Sequence, residues 1–403
     1  MKPAPTADRR LFAIFLIVLI DVLGLTIILP LLPFYSEHMG ASAITVGAII
    51  SVYSLCQFVA GPVLGSWSDR IGRKPILILS QVGTCIGFLI LASAHSLFWI
   101  FVSRIIDGFT AGNLSTAQAY ISDVAAPQER AKQLGRISVA FAIGFFVGPA
   151  LTAFFFHFGY QAPILLAAGL SFTSIMATTF LLPPNNMSAE VRIKDATPAV
   201  SVSTEIFKHL KHPILARLFL EISLFYFSFS AYAAGFALFA ERRFTVSGAP
   251  LNAQEVGYAF AYFGLLGIIT QLFLIGRLVK KFGERRVVLF GFLSSIVGYG
   301  MLGFIREPLW IGITGVFTSF GAGVLRPALL SEIAGKVSPK ERGGAIGVCQ
   351  SIQSVAQIIA PLVSTALIGG ALLLQWALLP SIVSGLGAFL VFRRVRTTAD
   401  ITG

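Results

Sequence analysis

Of the 403 residues, 56% are hydrophobic and only 12% are charged, about half the charged share of an ordinary soluble domain, so a soluble globular fold is excluded. The net charge of +12 would suit nucleic acid, but twenty-five of the 30 Lys and Arg residues fall on one side of the apolar runs. Three lie on the other side (Arg242, Arg243, Arg306) and two inside runs (Arg104, Arg326), the one-sided excess that marks cytoplasmic loops and argues against a nucleic-acid partner.

About 20 apolar residues cross a hydrocarbon core of roughly 30 Å, and lipid forces such a run to satisfy its own backbone as a helix. Six spans are predicted near Leu11–Tyr35, Ile44–Leu64, Pro75–Ala94, Leu97–Tyr120, Gly135–Phe156 and Ala162–Leu182. Six more follow near Ile214–Phe239, Val256–Ile275, Val287–Ile305, Leu309–Ala334, Ala345–Ile368 and Ala371–Phe392. The first run is too long for a cleaved signal, carries Asp21 in its middle and precedes no small-residue cleavage site, so it reads as a retained span. The polar stretch 183–213 reads as a cytoplasmic linker with a short amphipathic helix near Glu205–Leu210. It divides the chain into six-helix bundles at 1–182 and 214–403.

The two halves repeat. Gly65-Ser-Trp-Ser-Asp69-Arg70-Ile-Gly72-Arg73-Lys74 is echoed 211 residues later by Gly276-Arg-Leu-Val-Lys280-Lys281-Phe-Gly283-Glu284-Arg285. Pro127-Gln-Glu129-Arg130 is echoed by Pro339-Lys-Glu341-Arg342, and Gly148-Pro149 by Ala360-Pro361, both at 212. Tandem duplication of this kind builds secondary transporters, with the substrate site near the midplane and alternating access around it.

The loop Gly65-x-x-x-Asp69-Arg70-x-Gly72-Arg73-Lys74, the segment Asp21-Val-Leu-Gly-Leu-Thr-Ile-Ile-Leu-Pro30, Arg104-Ile-Ile-Asp107-Gly108, and Gly144-Phe-Phe-Val-Gly148-Pro149 together resemble the major facilitator superfamily. Within it they are similar to the twelve-span drug/proton antiporters, including the tetracycline/proton antiporters. The resemblance implies an all-α integral membrane protein with twelve transmembrane helices in two pseudo-symmetric six-helix bundles, a monomer. It also implies a latch of Gly65, Asp69, Arg70, Gly72, Arg73 and Lys74, with Arg130 as partner, that holds the outward-open state. Thr152-Ala153 stand where the fifth-span motif ends in a glycine pair. Gly87, Ser295 and Gly267 stand where tetracycline exporters carry two acids and a histidine, which argues against tetracycline itself as substrate.

Ionisable groups inside spans mark function or a specific pairing. Asp21 lies about ten residues into its span, roughly 15 Å deep, where a carboxyl can be tuned to load and release a proton. It is either a coupling residue or one side of a static interhelical salt bridge, and the resemblance, which implies that the first and fourth spans lie side by side, makes Arg104 or Asp107 its neighbouring partner. Asp107 either carries a proton or neutralises Arg104, one turn away. Glu221 and Arg326 either pair across the second half or face the cavity and bind charged substrate. Gln57, Asn113, Gln118, Gln350, Gln353 and Gln357 are further cavity candidates, with Tyr226 and Tyr232 from the aromatic segment of the seventh span. Gly144, Gly148 and Pro149 read as a hinge or leak seal, or as plain helix packing through small residues.

Cys56, Cys85 and Cys349 sit in spans without metal or disulfide spacing, and the five histidines lie at loops without a paired nucleophile. Neither catalytic residues, nor a metal site, nor a cofactor is expected, and without a phosphate-binding loop the energy source is a gradient, preferably of protons. The expected function is proton-coupled efflux of a small amphipathic or drug-like molecule across the cell (inner) membrane. The chain is then multi-pass with both termini cytoplasmic, and its partners are the lipid bilayer and a small-molecule substrate. Uptake or facilitated diffusion of a sugar or organic anion is the second expectation, and a non-transporting scaffold or sensor the third.

Overall fold

The apolar runs become long helices in the computed structural model, which describes residues 7–125, 129–183, 213–338 and 341–402, without the side chains of 7–9, 130–132 and 395–402. The first half holds α1 (Ala7–His38), α2 (Ala43–Ile71), α3 (Arg73–Ala92), α4 (Leu97–Thr110), α5 (Asn113–Val124), α6 (Arg130–Phe155) and α7 (Gln161–Leu181). The second holds α8 (Pro213–Arg243), α9 (Ala253–Ile269), α10 (Ile275–Phe282), α11 (Glu284–Leu302), α12 (Ile311–Gly335), α13 (Arg342–Gly369) and α14 (Leu373–Thr402). Among the described residues, eleven continuous segments are long and apolar enough to cross a membrane. The paired α4 and α5 supply the twelfth crossing.

Three differences from the predicted spans matter. The fourth span is not one helix, because it breaks at Ala111 and Gly112. A Cβ on Gly112 would stand 2.9 Å from both Leu64 and Ser80, so the close approach of α2 and α3 selects a residue that also weakens the helix. The eighth span is longer than predicted. It passes through a π-helical turn, Thr270–Leu274, and continues as α10 to Phe282. Among the described residues the helical pattern is interrupted by one short hairpin, β1 (Thr245–Val246) against β2 (Ala249–Pro250). Ser247 and Gly248 both have positive φ there, as the tight hairpin turn requires.

The signature loop is hardly a loop. Gly65 to Arg70 belong to α2, α3 begins at Arg73, and Gly72 alone stands between the helices with φ 115°. Only glycine takes that conformation without steric cost. Gly283, with φ 79°, makes the same one-residue joint between α10 and α11. The duplication thus repeats a backbone device as well as letters.

Packing repeats with it. In the first half α1 lies on α6 and α7, and α3 on α4 and α7. In the second, α8 lies on α13 and α14, and α11 on α12 and α14. Two compact units result. The described residues of Met1–Ala41, Val52–Thr197 and Asn252–Gly264 form one, and those of Ser42–Ser51, Pro198–Leu251 and Leu265–Gly403 the other. The divisions therefore fall inside α2 and at the end of α9 as well as between the sequence halves. The expected linker and its short helix lie outside the described residues, apart from Pro183 and Pro213.

The Gly144–Pro149 motif seats α6 on α1. Helix α6 runs unbroken through Pro149. The Thr26 hydroxyl donates to the Gly144 carbonyl at 2.9 Å, and Thr152 donates to the Ile27 carbonyl at 2.6 Å. A Cβ on Gly148 would lie 2.1 Å from Thr26 Oγ1 and 3.1 Å from the Ile27 nitrogen. Gly148→Ala is expected to cost about 1–3 kcal/mol through overpacking, seen as a lower unfolding temperature of purified protein in detergent. Gly135→Ala, in the same helix but with nothing within 4 Å of its Cβ, should leave that temperature unchanged or slightly raised.

Candidate functional site

Within the first unit, α1 to α5 bring polar side chains around a cavity of about 110 Å³. Asp21 enters from α1, Tyr53 and Gln57 from α2, Thr84 from α3, Asp107 from α4 and Asn113 from α5. The walls between them are apolar, among them Leu25, Phe88 and Phe141. Helix α5 can present Asn113 in its first turn because the chain restarts there after Gly112. Asp107 fits because Gly87 faces it, and a Cβ at Gly87 would already stand 3.1 Å from the Asp107 Cβ. An acid at position 87 has no room.

The electrostatics of this cavity are asymmetric. Arg104 pairs with Asp107 at 3.2 Å, both almost wholly buried, and its guanidinium lies over the Phe88 ring at 5.7 Å. Asp21 is not in that pair. Ser174 of α7 and Gln81 of α3 lie within hydrogen-bonding reach of its carboxyl, while Asp21 Oδ2 and Asn113 Oδ1 are shut from solvent without a partner. Of the sequence candidates, Asp21, Gln57, Asp107 and Asn113 converge here, whereas Gln118 is half-buried farther along α5 and does not line the cavity. Tyr53, Thr84, Gln81 and Ser174 escaped the sequence reading. Each is a residue type common in membrane helices, and only the crossing of the helices gives it a role.

In the second unit the expected pair of Glu221 and Arg326 does not form. Glu221, fully buried, accepts two hydrogen bonds from Arg394 Nη1, each 3.0 Å. Arg394 Nη2 also donates to Glu332, which Arg285 reaches at 3.2 Å. Glu221 is thus one of two buried carboxylates neutralised by α14 and α11, and not a cavity wall. Tyr232 is likewise core, buried against Tyr299 at 4.9 Å, Phe236 and Trp376. Arg326 is exposed, with the Tyr226 hydroxyl in hydrogen-bonding reach. Among the described residues it has no carboxylate partner. On α13, Gln350 is exposed, while Gln353 and Gln357 are half-buried.

At the joint of α2 and α3, every described contact of the latch residues stays within the first unit. Arg73 pairs with exposed Asp69 and with Asp123 at 2.9 Å, and donates to Ser68. Lys74 Nζ donates to the carbonyls of Thr179 and Leu182 at 2.7 and 2.6 Å. It caps the C-terminal end of α7, where unsatisfied carbonyls favour a cation. Arg70 is exposed, and the side chain of Arg130 lies outside the described ones. The Arg73–Asp123 pair and the Arg285–Glu332 pair stand at matching places in the two halves.

Residues 14–253 and 251–401 match the model of the Major Facilitator Superfamily. The chain belongs to this superfamily. It is 29% identical over 354 residues to the class B tetracycline resistance protein of Escherichia coli, covering 86% of this chain and 85% of that one. To multidrug resistance protein 2 of Bacillus subtilis (strain 168) it is 26% identical, covering 90% and 89%. The crystal structure of the human organic anion transporter MFSD10 (TETRAN) superposes with a TM-score of 0.72 at 26% identity, over 96% of this chain and all of that one. This major facilitator is therefore a multi-pass membrane transporter for a small molecule and not an enzyme, which sets aside the scaffold or sensor.

The Arg394 cluster gives a direct test. Arg394→Met would leave Glu221 buried without a counter-charge, at a cost of about 3–5 kcal/mol. Purified yield and unfolding temperature are expected to fall sharply. Adding Glu221→Gln should recover most of the loss, since it removes the stranded charge.

Proposed function

We propose that this transporter exports a small amphipathic organic molecule in exchange for protons by alternating access, and that Asp21 carries the coupling proton. One observation supports this most strongly. In the cavity of the first unit Arg104 and Asp107 neutralise each other, while Asp21 has an acceptor oxygen with no partner and no cation paired to it among the described residues. A carboxylate in that position, inside a membrane span, becomes neutral on taking up a proton, whereas protonating the acid of a matched ion pair would leave its buried cation uncompensated. The tetracycline and multidrug resistance relatives support efflux, and the mixed apolar and amide walls suit an amphipathic molecule.

In this reading the proton gradient is the energy source and no cofactor takes part. The protein is a monomer in the cell (inner) membrane with both termini in the cytoplasm, a topology that the one-sided distribution of Lys and Arg supports. Gln57 and Asn113 orient the substrate in the first unit, and Gln350, Gln353 and Gln357 are the substrate contacts proposed for the second. Asp69 to Lys74, with Arg130, control opening on the cytoplasmic side, and the seat of Gly144 and Gly148 on α1, in the helix that also carries Pro149, resists leakage.

A second reading rests on Arg326. A guanidinium exposed midway along α12, with a tyrosine hydroxyl as its neighbour, suits an anionic group of the substrate, and the similar human MFSD10 is an organic anion transporter. Facilitated movement of an organic anion would then need no proton.

Both readings meet in one assay, with purified protein in liposomes, a trapped pH dye and a panel of cationic dyes and organic anions. Asp21→Asn is expected to abolish substrate-dependent proton flux. Arg326→Gln is expected to raise KM for anions about tenfold and leave cations unaffected. Substrate movement without proton flux, unchanged in Asp21→Asn, would refute antiport and favour the second reading.

A further inference from the structure

Asp21 faces two ways. One side belongs to the cavity, and the other meets a polar seam where α3 and α7 cross. In that seam Gln81 and Ser174 are both fully buried, and Gln81 Nε2 donates to Ser174 Oγ at 2.8 Å. Ser171, one turn away on α7, donates to the backbone carbonyl of Gln81 at 3.1 Å and pins the register of the two helices. Helix α1 comes close at the same level, since a Cβ on Gly24 would stand 3.2 Å from the Phe88 ring and 3.8 Å from the Ala167 carbonyl. Apolar side chains would pack this crossing without the cost of desolvating an amide and a hydroxyl. The polar pair therefore calls for a purpose other than packing.

We propose that Gln81 and Ser174 form a relay that orients the Asp21 carboxyl and sets its proton affinity. The inference rests on Asp21 being the coupling residue. The chemistry follows from valence. Ser174 Oγ accepts from the Gln81 amide, so its single hydrogen is directed away from Gln81 and is available to Asp21. A hydroxyl that donates to a carboxylate stabilises the ionised form. When Asp21 Oδ2 takes up a proton, the carboxyl becomes a donor, the Ser174 hydrogen loses its charged acceptor, and the seam must re-form its hydrogen bonds. Proton binding is in this way communicated to the crossing of α3 and α7. Gln81 is a positioning residue that acts through Ser174 and through its own amide, which lies within reach of the Asp21 carboxyl.

Other groups that could influence Asp21 are few. Helix α2 presents Tyr53, and α4 presents Asp107 with Arg104. Cys85 of α3 turns to the Ala168 carbonyl of α7. Helices α5 and α6 present Asn113 and Phe141.

The test is an infrared titration of the full-length protein in lipid nanodiscs, between about pH 4 and pH 10. The Asp21 band is identified by its loss in Asp21→Asn. Ser174→Ala and Gln81→Leu are expected to raise the Asp21 midpoint by about one pH unit, a tenfold change in proton affinity. Ser174→Thr, which keeps the hydroxyl, should leave the midpoint near that of the native protein and also shows that the seam tolerates substitution. Unchanged midpoints in Ser174→Ala and Gln81→Leu would overturn the relay while leaving Asp21 as the proton carrier. So would a shift in Ser174→Thr as large as that in Ser174→Ala. The absence of any Asp21 band that titrates would overturn the coupling role and the relay together.

Discussion

A membrane interior tolerates an ionised group only when something compensates it, and this constraint shapes the transporter more than any other. The second unit satisfies it fully at one place, where Arg394 and Arg285 answer Glu221 and Glu332. The first unit answers Asp107 with Arg104. After these pairings two intramembrane charges stand apart among the described residues, the acid Asp21 in one unit and the cation Arg326 in the other. The matched charges hold helices together, and the unmatched ones have no such structural duty among the described residues. Architecture and chemistry are separated by that simple division.

Duplication explains why the scaffold is so regular and the chemistry so uneven. Helix contacts, the glycine joints and the pairs Arg73–Asp123 and Arg285–Glu332 recur in both halves. The buried acid does not, since Asp21 has no acidic counterpart about 212 residues later, where α8 carries Tyr232 and Ala233. The aromatic packing around Tyr232 fills the corresponding level of the second unit. Divergence after duplication has left one half with a cavity that holds an unpaired acid and the other with a packed core and an exposed cation.

Most of the fold was legible in the sequence because hydrophobic runs of span length allow few alternatives in lipid. The break in the fourth span was not. Glycine is common in membrane helices, and nothing local distinguishes Gly112 from residues that continue a helix. What decides it is the approach of Leu64 and Ser80 from other helices. Asp21, Asp107, Gln57 and Asn113 were legible as polar residues in apolar surroundings. Arg394 was hidden for the opposite reason, because it stands in a basic tail where positive charge is expected on topological grounds. Only helical phase separates it from Arg393, which lies over the Phe389 ring at 5.6 Å while its neighbour turns inward to Glu221.

The one-residue joint at Gly72 has a mechanical corollary. Typical connections between helices run to several residues and absorb displacement as slack. Here α2 ends at Ile71 and α3 begins at Arg73, Arg73 is tied to Asp123 at the end of α5, and Lys74 is tied to the end of α7. Such an elbow has almost no play. A tilt of α2 must be passed on to α3, α5 and α7 as torque, so the ends of four helices move as one lever. The glycine hinge-pin at Gly283 gives the other half the same stiffness.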